Sequence, residues 1–207
     1  GACYQNSGQT CSALTRLIVP SIMKDEICEV IASRIERYTA GNPLDETTRC
    51  GPMVSARQKE SVSNFIQTGI DEGAKLISGG VGMPDGLDTG FFVKPTVFSD
   101  VTSDMTIWKE EIFGPVLVIA TYDSEDEALA LANDSIYGLS GGVWSTDADK
   151  AISFARKMRT GQVSINGGPF NINAPFGGYK MSGNGRELGL YGLEEFLETK
   201  AIQRPVE

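Results

Sequence analysis

The sequence contains no histidine in its 207 residues, and this absence excludes several kinds of active site. Ser-His-Asp triads, Cys-His pairs and metal sites with histidine ligands all need an imidazole. A nucleophile in this chain must therefore be activated by a carboxylate, by backbone amides or by a group on another segment. A cysteine hydrolase, which uses histidine as its base, is excluded for the same reason.

Positive charge and long apolar runs are also scarce. Lys and Arg number 18 against 27 Asp and Glu, so the net charge is -9. Nucleic-acid binding needs a basic face that displaces counterions, and we therefore expect no nucleic acid partner. The longest apolar candidate, Val116–Ala120, is far shorter than the roughly 20 residues of a membrane span. With no signal peptide at the start, we expect a cytoplasmic protein without a membrane partner.

Cysteines are few, and their spacing fits neither a zinc site nor a disulfide framework. The four are Cys3, Cys11, Cys28 and Cys50. A chain of this length with so few cysteines is typical of free thiols in a reducing cytoplasm. We therefore expect no metal site and no disulfide. Hydrophobic residues make up 41% of the chain and charged residues 22%, as in an ordinary globular protein with a substantial core.

The clearest pattern is an alternation of apolar strands and capped helices in the second half of the chain. It predicts a strand over Pro115–Thr121, a helix from Ser124, a strand over Gly141–Trp144, a helix over Ala148–Met158 and a strand over Gln162–Ile165. Such alternation is typical of βαβ units and a parallel sheet, with helices on both faces. Open sheets of this kind bind ligands at the carboxyl ends of their strands, where we expect the site.

The first half and the tail give a less regular pattern. It predicts a strand over Leu14–Pro20, a helix with Ile27 to Tyr38 along one apolar stripe, a helix opened by a capping box of Ser55 and Gln58, and short strands over Lys75–Ser78 and Phe91–Phe98. Pro95 inside the last of these indicates an edge strand or a bulge. A final strand is predicted from Thr199.

Cys11 lies in a local sequence that suits a reactive thiol. It stands in the run Gly8-Gln-Thr-Cys11-Ser-Ala13, between small residues, after a glycine and just before a strand. A nucleophilic thiol needs room for a substrate and nearby amides that favour the thiolate. Cys3, Cys28 and Cys50 have no such setting, and we interpret them as structural thiols. Cys11 is therefore the candidate nucleophile.

Three longer motifs resemble those of a known family. They are Tyr4–Arg16 around Cys11, Glu110-Glu-Ile-Phe-Gly-Pro-Val116, and Asn173–Gly189 with its run Pro175-Phe-Gly-Gly178. In this order they resemble the catalytic domain of the aldehyde dehydrogenase superfamily, and the resemblance covers essentially the whole chain. It implies an α/β fold of three layers, with an open, mostly parallel sheet between helices. It also implies that residues 1–207 form one catalytic domain, whose tail 199–207 is an oligomerisation strand.

The resemblance also implies a reaction. The Cys11 thiolate attacks an aldehyde, and the backbone N–H of Cys11 holds part of the charge on the resulting oxyanion. Hydride then passes to NAD or NADP, which leaves a thioester on Cys11 that water hydrolyses to a carboxylic acid. Both cofactors stay open, and the residues of this chain select no particular aldehyde.

Further residues acquire roles only through this resemblance. Glu111 matches the glutamate that accepts hydrogen bonds from the nicotinamide ribose, and Phe113 matches the aromatic beside the nicotinamide. The residues matched to the substrate tunnel, or next to the nucleophile, are Thr10, Ser12, Asn171, Ile172 and Phe176.

Other parts of the family pattern have no counterpart in this sequence. These are the N-terminal dinucleotide-binding domain, the glutamate that acts as general base and the asparagine that completes the oxyanion hole. Glu187-Leu-Gly189 resembles the base motif only in part, because Leu190 replaces its second glycine. We therefore expect a fragment or processed chain that is inactive alone and that works with the missing domain in a homo-oligomer, either a dimer or a tetramer.

Two alternatives remain open at this point. An acylating dehydrogenase would pass the same thioester to coenzyme A instead of water. A non-catalytic relative or fragment would serve in assembly, although the presence of Cys11 argues against an inactive relative.

Overall fold

A computed structural model describes residues 1–206, which fall into two compact units. The first is Gly1–Ser135 and the second begins at Ile136. One catalytic domain over residues 1–207 stays a prediction, and Glu207 lies outside the described residues.

The first unit contains a four-stranded sheet and several helices. Its elements are β1 (Arg16–Pro20), α1 (Lys24–Ile35), α2 (Ala56–Asp71), β2 (Lys75–Ser78), β3 (Thr96–Ser99), the single turn α3 (Thr106–Lys109), β4 (Val116–Tyr122) and α4 (Glu125–Asn133). The strand order is β1-β4-β3-β2. β4 pairs parallel with both β1 and β3, whereas β2 runs antiparallel to β3 at the edge.

Both faces of this sheet are covered, because successive side chains of β4 point to opposite sides. Val116, Val118 and Ala120 belong to one buried cluster, which also contains side chains of α2 and α3. Ile119 and the partly buried Leu117 belong to a second cluster, which contains side chains of α1. Helices thus pack on both faces of a mostly parallel sheet, and the predicted α/β class is confirmed.

The second unit contains a short parallel strand pair joined by a helix. Its elements are β5 (Ser140–Val143), α5 (Ala148–Lys157), β6 (Gln162–Ile165) and α6 (Gly189–Glu194). β5 and β6 pair parallel, from Ser140 opposite Gln162 to Val143 opposite Ile165. The Asp147 side chain accepts a 3.0 Å hydrogen bond from the Lys150 N–H and so caps the start of α5. The predicted strand–helix–strand order is confirmed here, but the pair forms a sheet separate from that of β4.

The strand predicted over Phe91–Phe98 is shorter and differently placed. β3 begins only at Thr96, directly after Pro95, which has no N–H to donate to a neighbouring strand. β3 lies inside the sheet rather than at its edge, because β4 pairs with it on one side and β2 on the other. The Thr96 N–H, for example, donates to the Pro115 carbonyl at 2.8 Å. Its pairing with β2 shifts register between Leu76 and Ser78, as a bulge would require. The edge alternative is therefore wrong.

The tail forms no strand within this chain. Residues 199–206 have no regular secondary structure, so the final strand is wrong for the chain by itself. A strand needs a partner for its backbone N–H and C=O groups, and no other strand of residues 1–206 pairs with this segment. Pairing of 199–206 with another subunit stays a prediction.

The start of α2 offers a test of the local structure. The Ser55 hydroxyl oxygen accepts a 3.2 Å hydrogen bond from the Gln58 N–H, as an N-cap residue should. Replacing Ser55 with alanine removes this bond and should lower the free energy of unfolding by about 1 kcal/mol. Urea denaturation measures the change. Ser61→Ala in the same helix is the control, and an equal loss in both variants would contradict a capping role.

None of the helices within residues 1–206 combines the length and the apolar character that a membrane crossing requires.

Candidate active site

Cys11 lies in an exposed turn that precedes β1. The Ala13 N–H donates to the Thr10 carbonyl at 3.0 Å and closes the turn, and the Thr10 hydroxyl donates to the Gln5 carbonyl at 3.4 Å. The thiol of Cys11 is exposed. Among residues 1–206, no acceptor takes the backbone N–H of Cys11. The turn thus presents a thiol and an unused amide donor from the same residue.

The chain enters this turn through three consecutive residues in the left-handed region. The φ angles are 49° at Asn6, 56° at Ser7 and 75° at Gly8. Such angles are unfavourable for residues other than glycine and persist only where neighbouring contacts enforce them. The Ser7 hydroxyl donates to the Gly51 carbonyl at 3.0 Å, and the Asn6 side-chain amide donates to the Gln9 carbonyl at 3.0 Å. The loop is therefore held in an unusual conformation just before the nucleophile.

The side chain of Gln9 joins this loop to a distant segment. Its carbonyl oxygen accepts from the Val54 N–H at 2.8 Å, and its NH2 group donates to the Pro52 carbonyl at 3.3 Å. The same NH2 group lies 3.4 Å from the Asn6 carbonyl. One amide thus uses both its donor and its acceptor on backbone groups 43 and 45 residues away.

Glu111 and Phe113 project from a turn that precedes β4. Ile112 between them is buried in the core, whereas Glu111 is exposed and the Phe113 side chain is 37% exposed. Phe113 has a φ of 54°. The Gln58 side-chain NH2 donates to the carbonyls of Ile112 at 3.2 Å and of Phe113 at 3.0 Å. Within residues 1–206 the Glu111 carboxylate has neither a hydrogen bond nor an ion pair, so it is available to a ligand.

The Cys11 loop and the Glu111 turn meet at two glycines. A Cβ built on Gly8 would lie 2.8 Å from the Pro115 nitrogen and still closer to the carbonyl group of Gly114. Both segments lead into neighbouring parallel strands, with Arg16 of β1 opposite Val118 of β4. They therefore lie at the amino ends of these strands. The expectation of a site at carboxyl ends is wrong for these residues, because both motifs precede their strands.

The remaining candidates lie in the second unit. Asn171 and Ile172 belong to a turn in which the Asn171 side-chain oxygen accepts from the Asn173 N–H at 2.9 Å, and Ile172 is exposed. Phe176 pairs with Glu187 through two backbone hydrogen bonds, of 2.7 and 2.6 Å. Its ring meets that of Phe170 edge-on, with 5.9 Å between centroids. Roles for Asn171, Ile172 and Phe176 stay predictions.

The other cysteines differ from Cys11 in their surroundings. Cys3 and Cys50 are buried, at 4% and 1% exposed, and burial raises their pKa values to about 12 and about 11. The Cys3 thiol also donates to the Val116 carbonyl at 3.3 Å. Burial likewise raises the pKa of the half-buried Cys28 thiol. These thiols have structural surroundings, as the sequence predicted.

This difference predicts selective labelling of the cysteines. At pH 8, iodoacetamide should modify Cys11 fastest and Cys28 more slowly, while Cys3 and Cys50 react only after unfolding. In the unfolded chain all thiols ionise near their usual pKa of 9. The contribution of the two buried thiols to the free energy of unfolding is therefore fully present below about pH 9. It decreases as the pH rises towards the folded pKa values of Cys50 and Cys3, about 11 and about 12. Peptide mass spectrometry and urea denaturation at several pH values measure both effects. Labelling of native Cys50 at the rate of Cys11 would contradict this assignment.

Sequence reasoning missed the roles of two glutamines. Gln58 was expected to complete a capping box by reaching back to the Ser55 N–H, but its side chain reaches the Glu111 turn instead. Gln9 stands within the Cys11 motif and received no role. The sequence gives no sign of the partner of either glutamine, because the backbone groups that they contact lie more than 40 residues away. No group of three or more His, Cys, Asp or Glu side chains within residues 1–206 is placed to hold a metal ion.

Comparison with known proteins agrees with these motifs. The model of the "Aldehyde dehydrogenase family" matches residues 1–202. A 3-succinoylsemialdehyde-pyridine dehydrogenase from a Pseudomonas species is 50% identical over 197 residues, which are 95% of this chain and 41% of that protein. The chain thus spans about two-fifths of the length of this curated relative.

Solved structures give the same result. A mutant of aldehyde dehydrogenase C from Pseudomonas syringae, in complex with NAD+ and octanal, has a TM-score of 0.95 and 49% identity. The match covers 97% of this chain and 41% of that one. An aldehyde dehydrogenase from Mycobacterium tuberculosis, in complex with NAD+, has a TM-score of 0.95 and 46% identity, and covers 99% of this chain and 42% of its own. Since the family model matches nearly every residue, the chain belongs to the aldehyde dehydrogenase family.

Proposed function

We propose that this chain supplies the nucleophile and part of the cofactor site of an NAD(P)-dependent aldehyde dehydrogenase, which oxidises an aldehyde to a carboxylic acid. One observation carries the proposal. Cys11 is the exposed thiol of the four, it lies in a turn closed by hydrogen bonds, and its own N–H has no acceptor among residues 1–206. An exposed thiol and a free N–H donor on the same residue suit attack on a carbonyl group, because the sulfur can bond to the carbon while the N–H donates to the oxygen.

The first step uses both groups of Cys11. The thiolate attacks the aldehyde carbon, and the carbonyl π electrons move to the oxygen, which becomes an alkoxide. A backbone N–H already free of other acceptors can donate to that oxygen as its charge develops. The closed turn fixes the donor and the sulfur relative to each other, so little reorganisation is needed during attack.

The residues after α3 suit the sugar next to the nicotinamide of a bound cofactor. The unpaired Glu111 carboxylate has two oxygens and can accept hydrogen bonds from two neighbouring ribose hydroxyls. Phe113 offers an exposed ring face two residues away. Bound there, NAD or NADP would supply an acceptor for the hydride of the adduct on Cys11, whose oxidation would give a thioester on that sulfur. The NAD+ complexes of the Pseudomonas syringae and Mycobacterium tuberculosis relatives support this assignment.

Release of the acid needs a base that activates water, and no residue of this chain matches the family's base. We therefore propose that the base, the second oxyanion donor and the dinucleotide-binding domain belong to a segment outside these 207 residues. A coenzyme A-dependent enzyme would form the same thioester and would differ only in this last step. The roles proposed for the chain's own residues are common to both reactions.

Five residues are proposed to shape the aldehyde site: Thr10, Ser12, Asn171, Ile172 and Phe176. The hydrogen bonds of their side chains indicate which of them are free to contact the aldehyde directly. The Thr10 hydroxyl and the Asn171 side-chain oxygen already serve their own turns, which supports an indirect role. Among residues 1–206 the Ser12 hydroxyl has no partner, Ile172 presents exposed apolar surface, and Phe176 is a partly buried ring. The octanal bound by the Pseudomonas syringae relative supports an aldehyde substrate.

We further propose that the enzyme is a cytoplasmic homo-oligomer. Four free cysteines suit a reducing compartment. Large apolar side chains are exposed from α6 to the tail, among them Leu193, Phe196, which is 88% exposed and follows α6, and Ile202. Apolar surface of this kind is typical of surfaces that another segment or subunit covers.

An ester tests the nucleophile without the missing base or the cofactor. 4-Nitrophenyl acetate presents a carbonyl group to the Cys11 thiolate. The adduct expels 4-nitrophenolate instead of hydride, so a thioester forms on Cys11 without a cofactor. We expect one rapid release of nitrophenolate per chain with an acetyl thioester on Cys11, and no sustained oxidation of an aldehyde with NAD+. Robust NAD-dependent oxidation by the 207-residue chain would contradict the placement of the base. An unmodified Cys11 would contradict the nucleophile.

A further inference from the structure

The side-chain amide of Gln9 joins the residue next to the Cys11 turn to residues 52–54 of the first unit. Its oxygen accepts from the Val54 N–H at 2.8 Å while its nitrogen donates to the Pro52 carbonyl at 3.3 Å. An amide that uses its donor and its acceptor on one backbone segment is fixed in position and in orientation, as the backbone of a paired strand would be. Thr10 and Cys11 follow Gln9 directly.

The segment that Gln9 contacts is itself well anchored. Met53 is buried, and its N–H donates to the Phe91 carbonyl at 2.8 Å. The neighbouring Gly51 carbonyl accepts the Ser7 hydroxyl at 3.0 Å. The segment then runs into Ser55, the N-cap of the 16-residue helix α2. Gln9 is thus bound to a rigid support rather than to a second mobile loop.

The same support also holds the Glu111 turn. Gln58, in the first turn of α2, donates to the carbonyls of Ile112 and Phe113. One short stretch, residues 52–58, therefore anchors the loop before β1 through Gln9 and the turn before β4 through Gln58. The left-handed φ values at Asn6 and Ser7 show why an anchor is needed, since this conformation is unfavourable without external contacts.

We infer that Gln9 is a positioning residue, whose amide fixes the Cys11 turn on residues 52–54 and so sets the direction of the thiol and of its N–H during attack on a carbonyl. This inference rests on the proposed function of Cys11. Gln9 itself takes no part in bond making. Its removal leaves the thiol exposed but allows the turn to move.

Two variants and a control separate positioning from general stability. Gln9→Ala removes the hydrogen bonds to Val54 and Pro52 and the 3.4 Å bond to the Asn6 carbonyl, whereas Gln9→Glu keeps the acceptor for Val54 and loses the donor to Pro52 and Asn6. Gln67→Ala is the control, because Gln67 is an exposed glutamine of α2 that bonds only to Asp71 of the same helix, at 2.8 Å. The 207-residue chain is used throughout.

Amide hydrogen exchange reports the hydrogen bonds directly. Gln9→Ala should speed exchange of the Val54 N–H and of the Ala13 N–H, which closes the Cys11 turn, by at least about fivefold. Gln9→Glu should affect Val54 less than Gln9→Ala does. Amides of β4 and the Met53 N–H should keep their wild-type rates in both variants and in Gln67→Ala. A uniform rise at all amides would indicate only lost stability and would overturn the inference.

Two reactions of Cys11 then report its direction. Acetylation by 4-nitrophenyl acetate forms the S–C bond and breaks the C–O bond to nitrophenolate, and it requires aligned attack with a donor at the oxyanion. Alkylation by iodoacetamide forms no oxyanion. Gln9→Ala should slow acetylation by at least about tenfold and change the alkylation rate by less than threefold. Equal changes in both rates, or no change in acetylation, would overturn the inference. If wild-type Cys11 is not acetylated while the exchange results hold, the proposed function fails and the anchoring by Gln9 stands.

Discussion

Replacing Gly8 with alanine is expected to lower the free energy of unfolding by about 3 kcal/mol or more. Gly8 has a φ of 75°, where an L side chain alone costs about 1–2 kcal/mol. The added Cβ would also overlap the Gly114 carbonyl group and lie 2.8 Å from the Pro115 nitrogen. These are backbone atoms next to β4, which cannot move aside as the end of a flexible side chain can.

A matched glycine separates the two contributions. Gly82 has a φ of 95°, and a Cβ there would meet no atom within 4 Å. Gly82→Ala therefore adds only the cost of the backbone angle, about 1–2 kcal/mol. Urea denaturation of both variants measures the difference. Equal losses would show that the Cys11 loop and the Glu111 turn do not meet as closely as described.

Replacing Cys11 with alanine is expected to reduce acetylation by 4-nitrophenyl acetate at least about 1000-fold, because the sulfur that forms the new bond is gone. Cys11→Ser tests the chemistry more finely. Serine keeps a side chain of similar size, but its hydroxyl is a weak nucleophile without a base, and the sequence has no histidine to provide one. We therefore expect a loss of at least about 100-fold for Cys11→Ser as well.

The other thiols provide the control for this prediction. Cys28 is half-buried on α1. In the Cys28→Ala variant, 4-nitrophenyl acetate should acetylate Cys11 at the wild-type rate. Urea denaturation should show that the Cys11 variants keep wild-type stability, because the exposed side chain contributes little to the core. Retention of rapid acetylation in Cys11→Ala would place the nucleophile elsewhere.

The predictions from sequence succeed where the structure depends on local pattern. The apolar run of β4, the caps at Ser55 and Ser124, and the helix predicted over Ala148–Met158, which ends one residue earlier in the structure, all follow from residues within a few positions of one another. β3 was predicted too long because residues 91–98 are mostly apolar, as in a strand. Pro95 lacks the backbone N–H that a strand donates to its neighbour, and β3 begins only after it. The tail forms no strand because none of the strands within residues 1–206 pairs with residues 199–206.

The candidate site divides in the same way. Cys11 could be selected from its local sequence, whereas Glu111 and Phe113 could be selected only through the resemblance of their motif to that of a known family. The anchoring by Gln9 and Gln58 could not, because each amide contacts backbone groups that lie 43 to 55 residues away. Backbone carbonyls carry no sequence signal, so only the folded chain reveals which of them a glutamine will reach. That the Cys11 loop and the Glu111 turn lie side by side likewise depends on the parallel pairing of β1 with β4.

The most direct test of the central claim is to map the acyl group after the wild-type chain has reacted briefly with 4-nitrophenyl acetate. Peptide mass spectrometry at low pH preserves thioesters, and hydroxylamine treatment then removes them. The account predicts a single hydroxylamine-sensitive acetyl group on Cys11, in an amount that equals the nitrophenolate released. Acetyl groups on Cys28 or on lysines with an unmodified Cys11 would contradict it.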